Sequence, residues 1–124
     1  MPDRRRVCLI DDDAAVREAL ALGLGDAGFD VVTAEDGRAG LDLIAREPFD
    51  AVISDMNMPG FSGADLIAAL RETRPDLPII AISGGGEIGG VNVAELARAR
   101  GATVCLTKPF RSRDIAAALT KALN

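Results

Sequence analysis

Three adjacent aspartates, Asp11–Asp13, directly follow a short apolar run near the start of the chain. Neighbouring carboxylates repel one another and raise each other's pKa, so such a run calls for a positive partner. A fourth carboxylate, Asp55, follows a second apolar run at residues 51–54. Several carboxylates around one point are the oxygen ligands that a hard divalent cation prefers. An aspartate run alone is typical of a solvated helix cap, but its combination with Asp55 favours a Mg²⁺ site.

Two further polar residues end apolar runs and could act together with Asp55. Ser83 ends the run PIIAIS, and Lys108 directly follows TVCLT. A metal ion, a hydroxyl and an ammonium group around one carboxylate are the groups that stabilise a phosphoryl group during transfer. The carboxylate would then be the nucleophile, and the product would be an aspartyl phosphate.

Five strand-like apolar runs alternate with helical patterns along the chain. The predicted strands are Arg6–Ile10, Asp30–Ala34, Ala51–Ser54, Pro78–Ile82 and Thr103–Thr107. This alternation predicts an α/β fold with a five-stranded parallel sheet. Right-handed crossovers favour a doubly wound, flavodoxin-like sheet of strand order 2-1-3-4-5. In that order the first and third strands are neighbours, and the ligand crevice lies at their carboxyl ends.

The composition predicts one folded domain, residues 1–124, with a core at about 6–123. The 124 residues are 48% hydrophobic and 27% charged, which is ordinary for a globular chain. The net charge of −5 argues against a nucleic-acid-binding face. No apolar stretch reaches the roughly 18 to 20 residues of a membrane span. Only four apolar residues follow the basic start, so we do not expect it to be a signal peptide. We therefore expect a cytoplasmic protein without membrane attachment.

Histidine is absent, and the chain has only two cysteines, Cys8 and Cys105. Without histidine, Ser-His, Cys-His and His-metal mechanisms are excluded, and this chain cannot itself carry a phosphohistidine. The two cysteines lie in separate apolar runs and are predicted to be buried, reduced thiols.

Together these motifs resemble a response-regulator receiver domain of two-component signalling. The resemblance runs from about Arg6 to Leu123. It includes the acidic pair Asp11 and Asp12, the segment SDMNMPGFSG at 54–63, Ser83, and the tripeptide KPF at 108–110. Several motifs with matching spacing are far more specific than one short motif.

The resemblance implies a role for the residues around the phosphoryl group. Asp55 would be the phosphoacceptor, Ser83 would hydrogen-bond the phosphoryl group, and Lys108 would pair with it. The peptide bond between Lys108 and Pro109 would be cis. Asp13 matches no site position and is predicted to be the N-cap of the first helix.

The resemblance also implies a metal site and its cofactor, Mg²⁺. Asp12 and Asp55 would bind the ion directly, together with the carbonyl group of Asn57. Asp11 would act largely through a bound water molecule.

One position departs from the receiver pattern. Receivers usually carry Tyr, Phe or His three residues before the lysine, as a rotating switch side chain, whereas this chain has Cys105. We therefore expect no aromatic gating. Residues 84–90, GGGEIGG, follow Ser83 directly, contain five of the 13 glycines, and are predicted to be a flexible loop that carries the signal onward.

The resemblance further implies the partners of a stand-alone receiver. A histidine kinase or a histidine phosphotransfer protein would supply the phosphoryl group, and a downstream target protein would respond. The domain would catalyse its own phosphorylation and dephosphorylation, and would not be an enzyme acting on outside substrates. Because nothing follows the last predicted helix, we expect no direct DNA binding.

Three other functions remain open from the residues alone. A haloacid-dehalogenase-type hydrolase would use a D-x-D pair, Asp11 and Asp13, with Asp11 as nucleophile, although Ala15 replaces the usual Thr or Val and a cap domain has no room. A dinucleotide-binding module would use G-x-G-x-x-G at residues 84–89, although the fingerprint belongs in the first βα unit. A pseudo-receiver would bind partners without phosphorylation.

Overall fold

Five helices and seven strands follow one another in residues 4–124, which are the part of the chain that this computed structural model describes. The strands are β1 (Arg6–Ile10), β2 (Asp30–Ala34), β3 (Ala51–Asp55), β4 (Ile79–Ser83), β5 (Glu87–Ile88), β6 (Val91–Asn92) and β7 (Val104–Thr107). The helices are α1 (Ala14–Asp26), α2 (Gly37–Arg46), α3 (Gly63–Thr73), α4 (Val93–Arg100) and α5 (Ser112–Leu123). Across residues 4–124, no helix is both long enough and apolar enough to cross a membrane.

The main sheet has five parallel strands in the order β2-β1-β3-β4-β7. This confirms the predicted α/β fold and flavodoxin-like strand order, with β7 as the fifth strand. The neighbouring strands β1 and β3 pair Ile10 with Ser54, so the residues after them emerge side by side.

Four boundaries, in three of the predicted strands, differ from the structure by one residue. The third strand extends to Asp55, which pairs with Ile82, and the fourth extends to Ser83, which pairs with Thr107. The fourth predicted strand starts one residue later than predicted, at Ile79, and the fifth predicted strand, β7, starts one residue later, at Val104. Hydrogen-bond pairing with a neighbouring strand determines where each strand ends. A hydrophobic pattern in the sequence does not indicate that pairing.

Helices cover both faces of the sheet, because successive strand residues point to opposite sides. In β1, Val7 and Leu9 belong to the apolar cluster formed with α1 and α5. Cys8 and Ile10 belong to the cluster formed with α2, α3 and α4. The central strands are buried on both faces, which explains why they read as continuous apolar runs.

The glycine-rich segment after β4 contains a hairpin. Strands β5 and β6 pair antiparallel, with Glu87 opposite Asn92 and Ile88 opposite Val91. The turn residues Gly89 and Gly90 have φ angles of 59° and 81°. Two consecutive positive φ values are what a type I′ turn requires, and glycine supplies them without strain. The predicted flexible loop, residues 84–90, therefore contains β5 and the hairpin turn, and its flexibility stays a prediction.

The amino end of α3 fixes the end of β3. Ser62 caps α3, since its Oγ accepts a hydrogen bond from the backbone N–H of Asp65 at 3.2 Å. A Cβ atom on Gly63 would overlap the carbonyl oxygen of Asp55 and lie 2.6 Å from the Cα of Met56. The helix therefore approaches the strand end that carries Asp55 as closely as the backbone allows.

Replacing Gly63 by alanine should destabilise the fold. The added methyl group meets backbone atoms that cannot rotate away, so Gly63→Ala should lower the free energy of unfolding by about 2 kcal/mol. The matched control is Gly25→Ala in α1, where a Cβ meets nothing within 4 Å, and this should raise stability by up to about 1 kcal/mol. Urea unfolding followed by circular dichroism measures both. Equal stability of the two variants would contradict the close approach.

Candidate functional site

Three carboxylates meet at the carboxyl ends of β1 and β3. One carboxylate oxygen from each of Asp11, Asp12 and Asp55 lies within 4.8 Å of the other two. Asp11 is only 3% exposed, whereas Asp12 is exposed and Asp55 is half-buried. The strand order brings these residues together from distant parts of the sequence, as predicted.

The carboxylates line a cleft of about 270 Å³. Two elements on its far side contribute to it, since Ser83 ends β4 and Lys108 follows β7. The lining residues are Asp11, Asp12, Asp13, Val16, Asp55, Asn57, Ile82, Ser83, Gly84, Lys108 and Phe110. The structure thus places all the predicted phosphoryl and metal residues around one cleft. Val16 and Ile82 were not singled out in the sequence, whereas Gly84 and Phe110 were noted only as parts of the glycine-rich segment and the KPF motif.

Cys105 lies outside this cleft. It is half-buried on β7, pairs in register with Ala81 of β4, and packs against the apolar cluster on the α4 side of the sheet. Burial raises the pKa of its thiol, so the group is neutral at pH 7. Cys8, the other cysteine, is fully buried.

Burial and mutual repulsion act against ionisation of the cluster. Burial is the main cause that raises the pKa of Asp11 to about 6, with smaller contributions from the charges of Asp55 and Asp12. Burial, and after it the charge of Asp12, also raise the pKa of Asp55, while the positive charge of Lys108 lowers it. The ionised cluster therefore costs free energy that a bound cation would offset.

Backbone and side-chain donors hold Asp11 in place. Its Oδ1 accepts a hydrogen bond from the N–H of Asp13 at 2.9 Å. Its carbonyl oxygen accepts another from Nη1 of Arg17 at 2.8 Å. The Asp13 carboxylate accepts from the N–H groups of Ala15 and Val16, which confirms it as the N-cap of α1. Arg17 was missed in the sequence, because a contact with a backbone carbonyl leaves no pattern of residue types.

A chain of hydrogen bonds links the metal side of the cleft to its far side. The N–H of Asn57 donates to Asp55 Oδ1 at 3.1 Å, and Asn57 Nδ2 donates to Ser83 Oγ at 3.5 Å. The N–H of Lys108 donates to the carbonyl oxygen of Ser83 at 2.9 Å. The Lys108–Pro109 peptide bond is cis, as the resemblance implied.

The donor set fits Mg²⁺ well. The ion prefers oxygen ligands, binds through few carboxylates and retains several water molecules. The cleft offers carboxylates from two strand ends and no imidazole or thiolate, so the softer ligands that zinc favours are absent from its lining residues.

Family comparison separates a receiver domain from the hydrolase and the dinucleotide-binding module left open by the sequence. The family model of the response regulator receiver domain matches residues 7–120. The chain belongs to this family. Receiver domains are the phosphorylation-regulated modules of two-component signalling, so the fold and the cleft described above are those of a phosphorylation-activated switch.

Curated relatives of this receiver domain are longer proteins. The response regulator protein FleR of Pseudomonas aeruginosa is 40% identical over 110 residues, which cover 89% of this chain and 23% of FleR. The transcriptional regulatory protein FixJ of Bradyrhizobium diazoefficiens is 34% identical over 124 residues, which cover 100% of this chain and 59% of FixJ. The chain therefore spans less than two thirds of the length of either relative.

Solved structures show the same fold. The chemotaxis response regulator CheY4 of Vibrio cholerae superposes with a TM-score of 0.86 at 31% identity, covering 98% of this chain and 100% of CheY4. The FixJ-N structure also superposes with a TM-score of 0.86, at 30% identity, covering 99% of this chain and 95% of FixJ-N.

The geometry also disfavours the two enzyme-like alternatives. In a hydrolase the second aspartate of D-x-D would act on the substrate, but the Asp13 carboxylate accepts hydrogen bonds from the first turn of α1. The glycines of G-x-G-x-x-G, residues 84–89, lead into a hairpin and not into the strand-to-helix turn that binds a dinucleotide. Helix α4 begins only at Val93.

Asparagine in place of Asp11 should stabilise the metal-free domain. Because the pKa of Asp11 in the fold is about 6, above its ordinary value of 3.8, ionisation costs stability as the pH rises from about 4 to 6. In a chelator at pH 7, Asp11→Asn should raise the free energy of unfolding by about 2 kcal/mol, and the gain should vanish near pH 4. Urea unfolding at both pH values measures this.

The control for this experiment is Asp26→Asn, because Asp26 is an exposed carboxylate at the end of α1. It should change stability by less than about 0.5 kcal/mol at either pH. If the Asp11→Asn variant is no more stable than the unmodified chain at pH 7, ionisation of Asp11 does not cost the fold stability, and this prediction is wrong.

Proposed function

We propose that this receiver domain accepts a phosphoryl group on Asp55 from a phosphohistidine of a partner protein, in a Mg²⁺-dependent reaction, and that the modified surface alters partner binding. One observation carries the proposal above all others. Asp55 lies in a single cleft with two further carboxylates, a serine hydroxyl and a lysine. These are the groups that phosphoryl transfer to a carboxylate requires.

The surroundings of the carboxylates favour Asp55 as the nucleophile. Asp11 is 3% exposed, and its Oδ1 already accepts a hydrogen bond. Asp55 is more accessible, and among the causes of its pKa shift is the opposing charge of Lys108. An incoming phosphoryl group on Asp55 would therefore meet a positive charge and a hydroxyl.

In the proposed transfer, an Asp55 carboxylate oxygen attacks phosphorus and forms a P–O bond. The P–N bond to the donor imidazole breaks, its electron pair stays on nitrogen, and the donor histidine takes up a proton from water. Lys108 and Ser83 stabilise the negative charge on the phosphoryl oxygens. Reversal of the switch is hydrolysis, in which water attacks phosphorus, the P–O bond to Asp55 breaks, and inorganic phosphate leaves.

Four residues would hold the metal ion. Asp12, Asp55 and the carbonyl group of Asn57 would bind Mg²⁺ directly, and Asp11 would bind it through a water molecule. Bound Mg²⁺ would neutralise carboxylate repulsion and the charge of the phosphoryl oxygens. Asp12 is exposed, so it can be reached by a hydrated ion from solvent.

The phosphoryl donor is proposed to be a histidine kinase or a histidine phosphotransfer protein. These 124 residues contain no histidine, so the phosphohistidine must lie outside them. The domain would supply the catalytic groups for its own phosphorylation and dephosphorylation. Its proposed output is a change in affinity for a downstream target protein, with no reaction on an outside substrate.

Asparagine at the acceptor position should abolish phosphorylation. Asp55→Asn keeps the shape of the side chain but removes the nucleophile, so labelling by radioactive acetyl phosphate should fall to background. The control Asp26→Asn removes an exposed carboxylate outside the cleft and should label like the unmodified chain. Circular dichroism should show that both variants are folded. Labelling of Asp55→Asn at an undiminished level would exclude Asp55 as the acceptor.

Removing Asp12 should weaken metal binding. Asp12→Ala deletes a proposed direct ligand, so the Mg²⁺ dissociation constant should rise at least about 10-fold. The rise in melting temperature on adding Mg²⁺ should shrink accordingly, because the stabilisation by a ligand falls as its dissociation constant rises at a fixed ligand concentration. Asp26→Ala is the matched control. Calorimetric titration measures both variants, and an unchanged affinity of Asp12→Ala would contradict the ligand assignment.

A further inference from the structure

One proposed metal ligand comes from a loop and not from a strand. Asn57 lies in the segment 56–62, which connects β3 with α3, and its carbonyl group is the proposed ligand. The N–H of Asn57 donates to Asp55 Oδ1 at 3.1 Å, which ties the start of this segment to the cleft. A carbonyl group turns with its peptide plane, so the direction of the Asn57 carbonyl depends on the residues that follow it.

Two apolar side chains anchor the residues that follow. Met58 is 6% exposed and belongs to the apolar cluster formed with α2, α3 and α4, and the half-buried Phe61 packs against the same cluster. Between them the chain bends at Pro59 and Gly60, where the φ angle of Gly60 is 75°. Proline has a fixed φ, and glycine accepts a positive φ without strain. The bend is therefore held at both ends by side chains that contact the core.

The first turn of α2 contacts Phe61 from outside this segment. Gly37, the first residue of α2, is buried, and a Cβ atom there would overlap Cδ2 of Phe61 and lie 3.1 Å from the Phe61 carbonyl oxygen. The guanidinium carbon of Arg38 lies 5.6 Å from the centre of the Phe61 ring, which is within the range of a cation–π interaction. Phe61 is therefore seated directly against α2, and any residue larger than glycine at position 37 would displace it.

We propose that Gly37 and Phe61 are positioning residues that hold the Asn57 carbonyl group for a small divalent cation. This inference rests on the proposed metal site, and it adds a source of selectivity between cations. The carboxylate ligands belong to side chains that can rotate, whereas a backbone carbonyl moves only with the chain. With Phe61 seated against α2, the Asn57 carbonyl is the least adaptable of the proposed ligands.

A ligand of fixed position favours Mg²⁺ over Ca²⁺. Mg²⁺ demands a near-octahedral arrangement with oxygen ligands at about 2.0–2.1 Å, whereas Ca²⁺ binds at about 2.3–2.6 Å and tolerates irregular geometry. If the contact between Phe61 and α2 is removed, the segment 56–62 gains freedom. The affinity for Mg²⁺ should then fall, while the affinity for Ca²⁺ should change little, because its longer bonds accommodate a displaced carbonyl group.

Phe49 offers a matched control for Phe61. It is also half-buried, packs against the same apolar cluster, and has the guanidinium carbon of Arg6 at 4.7 Å from its ring centre. It lies just before β3, at the opposite end of this strand from Asp55. Phe61→Ala and Phe49→Ala therefore remove similar apolar and cation–π contacts, but only Phe61→Ala removes them from the segment that carries Asn57.

The first measurement compares the affinities for the two cations, by calorimetric titration with magnesium chloride and with calcium chloride. Phe61→Ala should raise the Mg²⁺ dissociation constant about 10-fold and the Ca²⁺ dissociation constant less than about threefold, whereas Phe49→Ala should change either constant less than about twofold. Urea unfolding in chelator should show that both variants are folded and have lost similar stability. A ratio of the two constants that Phe61→Ala leaves unchanged would overturn the inference, and so would an equal shift of that ratio in Phe49→Ala.

The second measurement is a double-mutant cycle that tests the contact between Gly37 and Phe61. Gly37→Ala should raise the Mg²⁺ dissociation constant about fivefold in the unmodified chain, and less than about twofold in the Phe61→Ala background, where no ring is left to displace. Gly25→Ala, whose added Cβ meets nothing within 4 Å, is the control and should leave the constant unchanged. An equal effect of Gly37→Ala in both backgrounds would overturn this inference alone.

Two further outcomes are also decisive. If Phe61→Ala is unfolded, Gly37→Ala by itself decides the inference, because it keeps the Phe61 side chain and should still lower the preference for Mg²⁺ over Ca²⁺ at least about threefold. An unchanged preference in Gly37→Ala would then overturn the inference. Absence of Mg²⁺ binding by the unmodified chain would instead contradict the proposed metal site.

Discussion

Repulsion among the carboxylates of Asp11, Asp12 and Asp55 is the main unfavourable interaction in the cleft, and the fold holds these carboxylates together against it. A parallel sheet brings the ends of β1 and β3 side by side, so the aspartates at these strand ends stay close together while the strands are paired. The core on both faces of the sheet holds them there. The cost is visible in the raised pKa values of Asp11 and Asp55, and it makes the cleft receptive to a divalent cation.

The cleft divides into a side that attracts a cation and a side that receives an anion. The aspartates after β1 and β3 form the first side, and Ser83 and Lys108 at the ends of β4 and β7 form the second. Asn57 connects the two sides, since its backbone N–H donates to Asp55 and its side chain donates to Ser83. Asn57 therefore links the Asp55 carboxylate to the Ser83 hydroxyl through two hydrogen bonds.

Much of this arrangement could be predicted from the sequence. Fully buried parallel strands read as continuous apolar runs, and the handedness of crossovers leaves few strand orders, so the convergence of Asp11, Asp12 and Asp55 followed from general rules. The grouping of Ser83 and Lys108 with Asp55 followed from their places at strand ends and from phosphoryl-transfer chemistry. The role of Asn57 came from family resemblance, because a polar residue at a strand end has several uses.

Other features could not be predicted from the sequence. Two-residue strands are too short to show an alternation of polar and apolar residues, so the sequence did not indicate β5 and β6. The glycines of this segment indicated a flexible loop. Gly89 and Gly90 instead make the tight turn that closes the hairpin. The role of Arg17 depends on a backbone carbonyl that becomes its neighbour only in the folded chain. The presence of Cys105 at the usual switch position was evident from the sequence, but its place outside the cleft was not.

The most direct test of the central claim is to identify the residue that carries the phosphoryl group. The domain is incubated with acetyl phosphate and Mg²⁺ and then reduced with borohydride, which converts a phosphorylated aspartate into homoserine. Peptide mass spectrometry locates the converted residue. The account predicts conversion at Asp55, and only when Mg²⁺ is present. Conversion at Asp11 or Asp12, or a yield at Asp55 that is equal in chelator, would contradict it.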